Sequence, residues 1–153
     1  MPGRLSTISS AIPELIAKAE LRIDTAGPAL IEFTREAAAF LQQCAAGDGA
    51  LTAFVRHTSA SLTIQENADP DVQRDLLTAL QRLAPENAGW VHDTEGPDDM
   101  PAHIKAMLTG VSLTVPVEAG RMLLGTWQGL YLVEHRRAPH ARRIVLQFIG
   151  SRR

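Results

Sequence analysis

Four of the five histidines keep acidic or amide company. His57 opens the stretch "HTSASLTIQEN", which closes on Glu66 and Asn67; His92 precedes Asp93; His103 follows Asp98 and Asp99; His135 follows Glu134. The fifth, His140, lies in the polar turn "APHARR" and reads as solvated. Neutral imidazoles are good ligands for borderline metal ions. Three of them with one open position is a common catalytic zinc arrangement, and nearby carboxylates can orient the rings or move protons. The spacing follows no short-range motif such as HExxH, so the acidic company rather than the spacing carries this reading.

The stretch after His57 holds a second possibility. Leu62 and Ile64 alternate with Ser61, Thr63 and Gln65, so a strand here packs one face and lines the other with hydrogen-bonding groups. Thr58 and Ser59 are then candidates to bind the polar end of a substrate. Glu66 falls on the packed parity. Either the strand ends before it, or its carboxylate is held partly desolvated with a raised pKa and works as an acid or base.

The elements that must position these groups follow from periodicity. "AELRIDT" and "ALIEFT" alternate around Gly27-Pro28 and predict an antiparallel hairpin. From Thr34 the period is helical, with Ala37, Phe40, Leu41 and Cys44 on one face and Gly47 as a stop. "ALTAFVRHT" returns to a strand whose apolar face ends at His57. "ADPDVQRDLLTALQRLAP" predicts a helix with Asp69 as N-cap, Pro70 in the first turn and Val72, Leu76, Leu80 and Leu83 on one stripe. The long polar loop "AGWVHDTEGPDDMP" runs into a short helix capped by Asp98 or Asp99 and ended by Gly110. "VSLTVPVEAG", "RMLLGTWQG", "LYLVEHR" and "RRIVLQFIG" read as four successive strands. The sum is an α+β chain, a single domain with an antiparallel β-sandwich core and packed helices. Residues 1–18 read as an extension, with a short helix around Pro13 to Ala19 or a loose arm, and residues 19–153 as the domain.

Composition narrows the partners. The chain has 153 residues, 45% of them hydrophobic, enough for one self-sufficient core. Fifteen Lys and Arg against seventeen Asp and Glu give a formal charge of -2, which offers no long-range pull on a phosphate backbone, so nucleic acid is not an expected partner. The lone Cys44 forms no intrachain disulfide and reads as a core residue. No signal-peptide pattern and no membrane-length apolar run is visible, which leads us to expect a cytoplasmic protein with no membrane partner.

Three strings, "HTSASLTIQENADPDVQRDL", "HDTEGPDDMPAHIKAMLTGVSLTVPV" and "GRMLLGTWQGLYLVEHR", closely resemble the sequence blocks of the YjbQ family, whose members are also called secondary thiamine-phosphate synthases. The resemblance runs in order from about Ala50 to the final strand near Gly150. It implies a homotrimer and an activity that joins the pyrimidine diphosphate and thiazole phosphate halves of thiamine, releasing pyrophosphate. Carried over by position, it places the family's histidines on His57, His103 and His135, with His92 also matched. Its acidic set falls on Glu66, Asp98, Asp99 and Glu134, and Asn67, Trp127, Gln128 and Arg136 complete the shared strings.

These assignments imply a mechanism with roles to share out. His57, His103 and His135 suit a zinc-like ion, whereas Asp98 and Asp99 suit a magnesium-like ion on a diphosphate; imidazoles are poor magnesium ligands, so the histidine site comes first. Glu66, Asn67 and Glu134 are the catalytic candidates. Thr58, Ser59, Trp127, Gln128, Arg136, Asp98 and Asp99 are the candidates for a small phosphorylated substrate, with Trp127 equally suited to a subunit boundary. The alternatives are a zinc-assisted hydrolase and a non-catalytic binder of a phosphorylated metabolite.

Overall fold

A computed structural model describes residues 3–153. The strands are β1 (Leu15–Thr25), β2 (Ala29–Glu32), β3 (Ala46–Val55), β4 (Ala60–Glu66), β5 (Ser112–Glu118), β6 (Arg121–Met122), β7 (Gln128–Glu134) and β8 (His140–Arg152). The helices are α1 (Thr34–Gln43), α2 (Pro70–Leu83) and α3 (Asp99–Thr109). They form one α+β domain with two antiparallel sheets, ordered β1-β8-β3-β5-β6 and β2-β7-β4. Leu51, Ala53 and Val55 of β3, Ile144, Leu146 and Phe148 of β8, and Leu62, Leu130 and Leu132 of the smaller sheet share one buried core with Phe33, Ala37, Phe40 and Leu41 around α1. Cys44 packs against its edge, half-buried.

The predicted hairpin does not form. β1 pairs along its whole length with β8, from Leu15 opposite Gly150 to Thr25 opposite His140, while β2 pairs with β7. Gly27, at φ 136°, and Pro28 turn the chain from one sheet into the other. An eleven-residue strand leaves fewer backbone groups unpaired beside a thirteen-residue partner than beside the four-residue β2. The chain before β1 holds no helix among the described residues, and the strand starts at Leu15, inside the segment read as an extension. β3 stops at Val55, short of His57, and "RMLLGTWQG" is no strand of its own: Arg121–Met122 form the two-residue β6, and its last residues, Gln128 and Gly129, open β7.

Parity decides what lies where. β7 is buried on both faces from Gly129 to Glu134. Leu130 and Leu132 point into the sandwich, and Glu134 continues that face. Tyr131, Val133 and then His135 point the other way, toward the side where α2 and α3 cover the smaller sheet. β4 divides likewise: Leu62 and Ile64 meet the core, and Ser61, Thr63 and Gln65 face the helices rather than solvent. Asp69 caps α2 as predicted, accepting from the Asp71 N–H, with Pro70 in the first turn. The predicted stripe of α2 is only half-covered, and Leu83 remains 67% exposed.

Candidate functional site

One end of the smaller sheet gathers most of the predicted polar groups. Asp99 begins α3, His103 sits one turn later on the same face, and the loop before the helix returns His92 to them. His92 Nε2 lies 2.7 Å and His103 Nε2 3.2 Å from Asp99 Oδ2. The ligand atoms of His92, Asp99 and His103 lie within 4.8 Å of one another, and among the described residues this is the cluster suited to a metal ion. Its donor set of two imidazoles and one carboxylate fits a zinc-like ion with a position left open.

Arg136 builds the wall of this cluster. Its Nη1 donates to Asp99 Oδ1 at 2.6 Å, its Nε to Asp98 Oδ2 at 3.1 Å and its Nη2 to the Glu95 carbonyl at 2.9 Å. The Arg137 backbone N–H adds a bond to Asp98 Oδ2. Desolvation pushes the Asp98 and Asp99 carboxyls up, but these bonds, with His92 on Asp99, outweigh it and hold both below the usual range. Asp98 therefore does not cap α3 with its side chain; it receives Arg136 instead. The guanidinium expected to meet a phosphate is spent on holding two aspartates, because it is only 15% exposed and its donors are already engaged.

His57 and His135 do not join His103 in one chain. His57 Nε2 accepts the Arg143 backbone N–H at 2.9 Å, which occupies the lone pair a metal would need, and desolvation followed by the charge of Arg142 lowers its pKa. His135 is 3% exposed and shares a 2.8 Å hydrogen bond with Ser61 Oγ. Burial, then the charge of Lys105, pushes its pKa down to about 4. The missing partner of His103 is His92, which periodicity could not place because it lies in a loop. Asp99 and His103 at i and i+4 of the predicted short helix were a usable signal for half the cluster.

Glu134 lies inside the sandwich. Fully buried, it accepts two bonds from Arg142, one from Thr25 Oγ1 at 2.7 Å and one from the Arg136 backbone N–H at 2.9 Å. Burial pushes its pKa up, but the Arg142 hydrogen bonds and the others hold it below the usual carboxylate value. Arg142 also donates to the backbone carbonyl and Oγ of Ser59, and so fixes the loop carrying Thr58. The expected acid–base role of Glu134 thus meets a carboxylate with no access to solvent, and the expected substrate contact of Ser59 meets a buried hydroxyl already bonded. Arg142 and Thr25 were not singled out in the sequence, although both fall on the inward parity, with Ile144, Leu146 and Phe148 on β8 and with Leu21 and Ile23 on β1.

The remaining candidates sit at the opposite end of the sheet. Ala60 faces Glu134 in the β4–β7 register and Glu66 faces Gln128, so the two groups are separated by about 20 Å of strand. Glu66 Oε2 accepts the Asp69 N–H at 3.1 Å and supports the start of α2. Asn67 donates to Glu32, Gln128 Oε1 accepts the Gly125 N–H, and Trp127 is 62% exposed. Within one chain, Glu66, Asn67, Trp127 and Gln128 form a group apart from the histidine cluster.

Relatives agree with this architecture. A family model described as UPF0047 protein YjbQ-like matches residues 19–151. A UPF0047 protein of Synechocystis is 48% identical over 132 residues, 86% of this chain and 90% of that relative. The UPF0047 protein YugU of Bacillus subtilis is 40% identical over 79% of this chain and 89% of its own length. Among solved structures, an uncharacterized YjbQ/UPF0047 protein of Clostridium acetobutylicum, 36% identical, superposes with a TM-score of 0.80 over 85% of this chain and 98% of that one. With the family match spanning most of the chain and the same fold in a relative of this identity, the chain belongs to the YjbQ-like UPF0047 family.

Proposed function

We propose that the chain is a metal-dependent enzyme whose centre is His92, Asp99 and His103, acting on a small phosphorylated substrate. One observation carries the reading. His103 Nδ1 lies 2.9 Å from the Thr58 carbonyl, an acceptor only, so Nδ1 carries the proton and donates it. In the neutral ring this leaves Nε2 bare, 3.2 Å from Asp99 Oδ2, with His92 Nε2 on the same oxygen. A lone pair facing a carboxylate requires a cation between them, either a second proton or a metal ion. A backbone carbonyl on the far nitrogen is also the usual support of a metal-ligating histidine.

When bound, a zinc-like ion here supplies Lewis acidity to a phosphate oxygen. The chain's own part is to hold Asp99 ionised through Arg136, keep both rings aimed through Thr58 and Asp99, and leave the exposed edge open for substrate. The reaction that family resemblance suggests, union of a pyrimidine diphosphate with a thiazole phosphate, suits a centre that neutralises a departing pyrophosphate. Hydrolysis is the second reading, favoured by Glu95 Oε2 at 3.4 Å from His92 Nε2, where an exposed carboxylate can take a proton from water. Self-association as a homotrimer would let the far-end group of one copy, Trp127 and Gln128 with Glu66 and Asn67, approach the cluster of another.

The test starts with metal. Protein stripped by chelator should take up about one zinc per chain, and His103→Ala should weaken that uptake by roughly a hundredfold or more while the circular dichroism spectrum is kept. Thiamine phosphate formation and hydrolysis of a panel of phosphate esters are then followed with and without zinc, and sedimentation reports the trimer. Uptake that is unchanged in His103→Ala removes the proposed centre. Zinc-independent ligand binding with no turnover of any substrate would favour a binding module.

A further inference from the structure

A second polar cavity opens on the neighbouring face of α3, independent of the cluster above. Asp99 and His103 share one face of the helix, whereas Asp98 and Lys105, seven residues apart, share another. The second face looks into a cavity of about 240 Å³ between α2, α3 and the end of β7. Pro28, Leu77 and Leu80 form its apolar wall, and Lys105, His135 and Arg137 bring nitrogen donors to it.

Lys105 is the cation of this cavity without an ion-pair partner among the described residues. Glu134 is held by Arg142 on the sandwich side and Glu86 by Arg137 at 3.3 Å, while Arg136 serves Asp98 and Asp99 together. Glu86 and Asp98 lie within electrostatic reach of Lys105, but both are already engaged by an arginine. The Lys105 ammonium therefore lines the cavity, beside its apolar wall, with its donors uncommitted to any carboxylate.

His135 supplies a directed donor at the same place. Ser61 Oγ is fully buried and its one partner is His135 Nε2, so its hydrogen is best satisfied by donation to that nitrogen. The ring proton then sits on Nδ1. No fully buried side-chain nitrogen or oxygen among the described residues lacks a partner, and Nδ1 bonds to none of them, so it opens onto the cavity that His135 lines. The buried Ser61 bond fixes the ring's orientation before any ligand arrives.

We infer that this cavity is a binding site for a small organic oxyanion, a carboxylate or phosphate monoester with a short apolar body. Its anionic head lies between Lys105 Nζ and His135 Nδ1–H, and its apolar part lies against Leu77 and Leu80. The size admits a ligand of a few heavy atoms beyond the head, smaller than most cofactors. The site needs no metal and is separate from the reading of His92, Asp99 and His103.

The probes are butyrate, butyl phosphate and, as the uncharged control, 1-butanol, titrated into chelator-treated protein while the His135 ring signals are followed by NMR. At least one of the two anions should saturate below roughly 10 mM, with His135 shifting and butanol causing no saturable change. Lys105→Met should weaken that binding by about tenfold or more, and Lys105→Arg should retain it. Leu80→Glu, at a half-exposed helix position, should abolish it by setting a carboxylate in the cavity, which keeps the test open if Lys105→Met folds poorly. No saturation by either anion overturns the inference. Equal affinity in Lys105→Met and Leu80→Glu, or binding that appears only after zinc is added, overturns it as well, the last by placing the anion on the metal centre.

Discussion

Glu134→Gln is the sharpest perturbation, because a catalytic carboxylate and a structural one respond to it in opposite ways. The side chain is 0% exposed, that of its partner Arg142 is 3% exposed, and the pair is further tied to Thr25, Ser59 and the Arg136 N–H. Glutamine preserves the shape and still accepts hydrogen bonds. It removes the negative charge and leaves the Arg142 guanidinium buried without a counter-charge, which costs about 3–5 kcal/mol when one partner of a buried pair is lost. With roughly 2–4 °C per kcal/mol at this chain length, the melting temperature should fall by roughly 6–20 °C. Urea denaturation of wild type and variant gives the free energy, and zinc titration of the folded variant should remain within a few-fold of wild type. A stability loss below about 1 kcal/mol with activity abolished would refute the argument and return Glu134 to the reaction. The pair also sets an acid limit: the folded pKa lies below the unfolded value of 4.5, so its contribution is complete above 4.5 and is lost as pH falls through the folded value.

His135 supplies a second pH dependence at higher pH. Its folded pKa of about 4 lies below the unfolded 6.5, so between them the unfolded chain binds the extra proton and acid destabilises the fold by up to about 3 kcal/mol. His135→Gln should flatten the stability profile between pH 6.5 and 4 measured by urea denaturation, and an unchanged slope would contradict the buried neutral ring. Gly49→Ala should destabilise by about 1–3 kcal/mol in thermal melts, since an added Cβ would run into the Ile149 carbonyl and Gly150 where β3 crosses close to β8; a neutral result would mean the strands part more readily than their register suggests.

Local pattern determined a good deal. The α1 face of Ala37, Phe40 and Leu41, the Asp69 cap of α2, the alternation of Leu62 and Ile64, and the stop of α3 at Gly110 were all legible, because periodicity and capping depend on residues within one or two turns of each other. The strings from His57 to Arg136 were enough to reach the family. Pairing was not legible: β1 found β8 more than a hundred residues away rather than its neighbour β2, since ladder length and core coverage are settled only when all strands compete. The same holds for the polar groups. Alternation fixes that Glu134 and His135 point to opposite faces, but not that one face holds Arg142 and the other Lys105 and Ser61. Sequence supplied the imidazoles and carboxylates of the candidate site. Only tertiary structure chose His92 over His57 and His135 as the companion of His103, because a loop residue carries no period and its position is set by the groups, here Asp99 and Arg136, that fold around it.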